Sequence, residues 1–321
     1  MRALGQRQRR HFISEHLPKL LPVHAYFETM QRLTLGVLVS VAVLLGGCSP
    51  RHLIIQGIGN ELASQGSAEE EDLGLAREAS AFYLKLSESL LRESPGNLKL
   101  AQAVSGGFTQ YAFAFVAFEA ERVESKDAKT AQVLNERARR LYLRAHRHAM
   151  AALEASSPGF SAALANPDAM QWPMLNEAQV GVAYWAAASW GAAISLSKDN
   201  PETVADLPVA FRLASLAWKT SPDFGEGAVA SLMGSFESAR PGGSVKQAAV
   251  YFDAATAAGA GKNAGAFVAR AEAIAQPAGD RQAFESLLQQ ALNVSMAHRN
   301  VANAAMRERA LWLLANVDDL F

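Results

Sequence analysis

Cysteine is almost absent from this chain: of 321 residues only Cys48 carries a thiol. A disulfide framework, a thiolate metal site and a cysteine nucleophile assisted by a second thiol are therefore excluded. Alternating runs of β-branched residues are also missing, which argues against a sheet. Proline and glycine do not gather into any linker long enough to divide the chain. Basic charge is not in excess either, because 30 Lys and Arg stand against 31 Asp and Glu. That balance lacks the electrostatic footprint of a nucleic-acid partner.

The cysteine that is present sits in a telling place. Arg32 precedes an apolar run from Leu33 to Leu45, and Leu45-Gly46-Gly47-Cys48 follows. That order reads as a secretory signal with a lipobox. Cys48 is expected to be acylated and the leader, residues 1–47, removed, with Met30 an alternative start that would leave residues 1–29 upstream. Several acyl chains (diacylglyceryl and palmitate-type) hold a protein stably at a membrane surface. The membrane is then met through the lipid anchor only. Ser49, rather than aspartate, after the cysteine favours the outer membrane, facing the periplasm. Loss of the leader removes six basic residues (Arg2, Arg7, Arg9, Arg10, Lys19, Arg32) and two acidic ones (Glu15, Glu28), so the formal charge falls from −1 to near −5.

Residues 48–72 read as the lipidated tether and 73–321 as one helical domain. Leu73 to Glu93 has apolar residues at helical spacing (Ala79, Phe82, Leu86, Leu90) and ends at Ser94-Pro95-Gly96-Asn97. Leu98 to Arg122 and Lys126 to Ala155 follow, the second with a basic face at Arg137, Arg139, Arg140, Arg144 and Arg147. Gln179 to Lys198 has no charge between its ends and mixes Ala, Gly and Ser with Tyr184, Trp185 and Trp190. Its small residues make it a weak membrane span and a good closely packed helix. Asn200-Pro201 caps a helix running to Thr220. Further helices are expected over 225–238, 244–258, 263–275, 280–293 and 298–317. The loop around Pro95, Pro158 and Pro222 recurs at intervals of 63 and 64, near twice a repeat of about 34 residues. Ala210, Ala214, Ala217 and Pro222, then Ala248, Phe252 and Ala255, follow the tetratricopeptide (TPR) pattern. The expected fold is all-α, a degenerate TPR-like stack of antiparallel helical hairpins.

Catalytic signals are weak. Ser195-Leu-Ser197-Lys198 spells S-x-x-K without its partner motifs, and Gly57-Ile-Gly59 lacks a third glycine. His52, His146, His148 and His298 have no metal-ligand spacing and are expected to be solvated. Asp318-Asp319 reads as a solvated tail. No catalytic residue, metal or cofactor is assigned, and an enzyme is not expected. What remains is aromatic. Phe108, Tyr111 and Phe115, with Phe118, form one stripe, and Tyr184, Trp185 and Trp190 sit on the other uncharged helix. Such rings pack cores, but some can border an apolar ligand cavity.

Five blocks carry a resemblance: Phe82–Leu91, Gly107–Phe115, Arg137–Tyr142, Ala188–Lys198 and Ala310–Phe321. Together, in this order, they resemble the T component of TRAP (tripartite ATP-independent periplasmic) transporters, TPR-containing lipoproteins. The resemblance implies a non-enzymatic periplasmic protein of stacked hairpins. It also implies a homotrimer with hydrophobic clefts or a pore, docking of the periplasmic substrate-binding (P) component, and an apolar or amphipathic small-molecule ligand. A general TPR scaffold or adaptor of cell-envelope assembly is the alternative.

Overall fold

A computed structural model describes residues 71–321, all within one compact unit, His52–Phe321. The leader, Cys48, His52, Gly57-Ile-Gly59 and nearly all of the tether lie outside the described residues. Among these residues there are helices and no strands. In order they are α1 Leu73–Glu93, α2 Leu98–Ala112, α3 Phe118–Glu124, α4 Ala128–Ser156, α5 Phe160–Ala165 and α6 Glu177–Ser195. Then come α7 Pro201–Val204, α8 Leu207–Thr220, α9 Phe224–Ala239, α10 Val245–Ala258 and α11 Ala264–Arg270. Last are α12 Arg281–Ala297, α13 Val301–Ala315 and α14 Val317–Leu320. A π-turn, Phe113–Ala117, joins α2 to α3, and a second, Ala271–Ala275, prolongs α11.

Side-chain caps set most of the starts. Asp72 accepts from the backbone of Gly74 and Leu75, Asn97 from Leu100, and Asp127 from Thr130. Asn176 and Gln179 form a reciprocal capping box at the head of α6. Each such cap is worth about 1 kcal/mol.

α2, α4 and α6 pack against one another, and α8 and α9 extend that core. Alanine makes the close approach possible: Ala145, Ala149 and Ala152 on α4 and Ala183, Ala186 and Ala187 on α6 are all buried. The chain continues as neighbouring antiparallel pairs, α9 with α10 and α12 with α13, with α11 between them. A second apolar cluster centres on Phe284, Leu288 and Leu313.

The structure corrects several expectations. α1 buries Ala76, Leu84, Glu88 and Leu91, and of the spaced apolar residues Phe82 (67% exposed) and Leu86 face outward while Leu90 packs partly against the core. The inner face was hidden in the sequence because its centre is a carboxylate. Glu88 is 3% exposed and takes hydrogen bonds from Arg144, Lys85 and His148. Burial alone would raise its pKa, but those hydrogen bonds overrule the desolvation and hold it at about 2, against an ordinary 4.5. The helix expected over 201–220 breaks after Val204, where Pro208 enters the first turn of α8. His146 and His148 are not solvated, since both turn inward to partners on α6 and α1. Asp318 is exposed, as expected of a solvated tail, and pairs with Arg281 at 2.7 Å.

Candidate functional site

Helices α2 and α6, each charged only in its first turn, meet through two glycines. The indole of Trp185 covers Gly106, where a Cβ would fall 2.7 Å from Cε2 and Nε1. In return the Gln102 side-chain amide lies on Gly181. Gln102 and Gly106 are four apart on α2, and Gly181 and Trp185 are four apart on α6, so each helix supplies one knob and one hole.

That seam leaves α6 with two unlike sides. Val180, Val182, Ala183, Ala186, Ala187, Ala193 and Ile194 are sealed. Tyr184, Trp185, Ala188 and Ala192 keep accessible surface, and at helical spacing they share one arc. Tyr184 contacts Trp185 edge-on at 4.7 Å and Phe224 at 5.4 Å. Its phenol is pushed up to about 12 by burial, with no other cause. Its ring is partly buried and packs against the main apolar cluster. The ring of Phe236 closes the arc further along by lying against Gly191. No helix among the described residues is long and apolar enough to cross a membrane.

The six aromatic candidates fall in different places. Tyr184 and Trp185 touch each other, Tyr184 packed against the core and Trp185 lying over Gly106. Phe108, 3% exposed, is held between the Arg144 guanidinium at 4.8 Å and the His148 ring at 6.3 Å, so its surface is spent on packing. Trp190 packs on His146 at 4.3 Å. His146 places Nδ1 3.0 Å from the Ala186 carbonyl, and burial lowers its pKa. Tyr111 meets Phe115 edge-on at 5.4 Å, and Phe115 with Phe118 floors a cleft of about 390 Å³ between the start of α1 and α13. A wider groove of about 600 Å³ runs between α10 and α12, with Phe267 and the Arg270–Asp253 ion pair (2.6 Å) in its lining. Ser195 of the S-x-x-K match donates to the Ala192 carbonyl at 2.8 Å, an ordinary helical back-bond.

Sequence reasoning missed Gln102, Gly106, Gly181 and Phe224. The two glycines inside α2 and α6 were the available signal, since an interior glycine costs helix stability and so marks a close approach.

A family model described as the TRAP transporter T-component matches residues 69–321. The chain belongs to this family. The match takes in all the described helices, including both knob-and-hole partners. The T component is also similar to an uncharacterized protein of Treponema pallidum (strain Nichols), 27% identical, with 87% of this chain and 94% of the relative covered.

Proposed function

We propose that this T component is a non-enzymatic, lipid-anchored protein at the outer membrane, facing the periplasm. In this reading it holds an apolar or amphipathic small molecule against the aromatic residues of α2 and α6 and docks the periplasmic substrate-binding component of a TRAP transporter. The observation that carries the reading is the family match over residues 69–321, and the adjoining rings of Tyr184, Trp185 and Phe224 are the aromatic set offered to the ligand. Rings with one polar handle are what small-molecule sites use to fix an apolar ligand. The paired helices α9 to α13 serve as the TPR-like scaffold, and the α10–α12 groove is the surface offered to the partner protein. Family membership supports the transporter link, and the lipobox at Cys48 supports the anchor.

Native mass spectrometry of the protein purified from its own membranes tests the reading at three points. A small molecule should leave with the wild type and be lost from Trp185→Ala, while circular dichroism is unchanged. A periplasmic binding protein should co-purify, and the assembly should have trimer mass. The peptide beginning at Cys48 should carry acyl chains. Recovery of envelope-assembly enzymes with neither a binding protein nor a small molecule would favour the general adaptor instead.

A further inference from the structure

α4 carries a basic row along its outer side. Lys129, Val133, Arg137, Arg140, Arg144 and Arg147 follow at steps of four, four, three, four and three, so they share one face, about 27 Å long. All but Arg144 are exposed. The two glutamates of the helix are engaged elsewhere. Glu136 takes two hydrogen bonds from Arg139 and a longer one, 3.3 Å, from Arg140, while Glu154 accepts from the backbone of Gly159 and Ser161. Arg144 is committed to Glu88. Arg137 and Arg147 are left without a carboxylate among the described residues, in a chain that carries no excess of basic charge.

The helix beside this row is apolar on its outer side. Leu75, Phe82 and Leu86 of α1 lie exposed on one face, with Tyr83 edge-on to Phe82 at 5.9 Å. The two rows are tied at Glu88, where Lys85 of α1 and Arg144 of α4 donate to the same carboxylate oxygen. Phe82 is one turn from Lys85. α1 is also the first described helix after the anchor site, with Leu73 standing 25 residues after Cys48.

We propose that α1 and α4 form a face that rests on anionic phospholipid beside the chain's own lipid anchor. Arg137, Arg140 and Arg147 take phosphate oxygens, and Phe82, Tyr83 and Leu86 enter the boundary between headgroups and acyl chains. Charge complementarity selects this occupant: a phosphate surface offers an acceptor to every exposed guanidinium of the row, with an apolar layer beneath it for the rings. A weak face is sufficient, because an anchored domain meets the bilayer as an intramolecular event. A domain held this way presents one orientation to a partner. This rests on the acylation of Cys48 proposed above.

The test places a nitrobenzoxadiazole label on α1 through Ala81→Cys, exposed beside Phe82, in the mature acylated protein, where Cys48 offers no free thiol. The labelled protein is reconstituted into vesicles of phosphatidylcholine alone, or of equal parts phosphatidylcholine and phosphatidylglycerol. Emission should rise and shift to the blue in the anionic vesicles only. Salt at about 0.5 M should reverse the change, because screening shortens the reach of these charges to a few ångströms. Arg137→Gln and Arg147→Gln should each lower the ratio of docked to undocked protein about fivefold, with circular dichroism unchanged and the protein still floating with the vesicles. An unchanged spectrum in anionic vesicles, or a blue shift equal in neutral ones and indifferent to both arginines, overturns the inference and leaves the anchor standing. A shift that follows protein concentration instead of lipid composition overturns it in favour of a second copy on this face. A free thiol at Cys48, with the protein leaving both kinds of vesicle, overturns the anchor and the inference together.

Discussion

Arg309 on α13 reaches across to Glu272, donating from Nε at 3.1 Å and from Nη2 at 2.6 Å to its two carboxylate oxygens. Nη2 also reaches Glu121 at 3.0 Å, and the guanidinium lies 5.4 Å from the rings of both Phe113 and Phe118. Glu272 belongs to one π-turn and Phe113 to the other. One arginine thus holds both π-turns, tying the α2–α3 segment to the α11–α13 cluster. π-turns interrupt the regular ladder and persist where something outside the helix needs the altered side-chain register. Here that need is the shared arginine.

Arg309→Leu should cost about 3–5 kcal/mol, because it strands two carboxylates that it now neutralises. Urea unfolding of the purified variant reads this directly. Its Nη1 is buried and has no partner among the described residues, so some cost is already borne in the wild type.

Two carboxylates should move acid stability in opposite directions. Glu88 is held at about 2, so its contribution is complete above 4.5 and is lost as pH falls from 4.5 toward 2. The shift corresponds to about 3 kcal/mol. Glu88→Gln should flatten the acid limb of a stability-against-pH curve in that window. Glu121 is instead raised by burial, which outweighs Arg309, so its contribution improves as pH falls through its folded pKa. Glu121→Gln should make stability at neutral pH less sensitive to mild acidification.

Gly106→Ala puts a methyl 2.7 Å from the Trp185 indole, too near for both to stay. Overpacking of this kind costs about 1–3 kcal/mol. Combining it with Trp185→Leu should recover part of the loss, and a double-mutant cycle of melting curves would show the coupling. Independent, additive costs would mean that the indole does not need that glycine.

α9 opens with three successive residues in the left-handed region: Gly225 at φ 63°, Glu226 at 52° and Gly227 at 89°. A side chain there costs about 1–2 kcal/mol, and a Cβ on Gly227 would also strike the Ala255 carbonyl. Glu226→Gly should therefore stabilise by about 1 kcal/mol and Gly227→Ala should destabilise by more than that. Thermal unfolding of the two variants checks both signs.

The sequence made the helices legible wherever a cap or a Ser-Pro turn stood. Leu73–Glu93 and the long helix ending near Ser157-Pro158 fall almost where spacing put them. It was misleading wherever burial was bought with ions. Glu88 looks like a surface residue until Arg144, Lys85 and His148 converge on it, so the buried face of α1 was not legible from its apolar spacing. Tertiary contact also decided which rings share a space. Phe108 and Tyr111 have the same periodicity as a cavity stripe, yet Arg144 and His148 cover the first. Periodicity assigns a residue to a face; only packing decides what that face meets.

Each glycine in the α2–α6 seam exists for a particular side chain on the opposite helix: Gly106 for Trp185 and Gly181 for Gln102. Such positions cannot drift alone. A lineage that fills position 106 must first, or at once, shrink position 185, and one that fills 181 must give up a long side chain at 102. Among relatives, residue pairs 106/185 and 102/181 should therefore change together, and their paired identities would sort the family by how closely α2 and α6 approach.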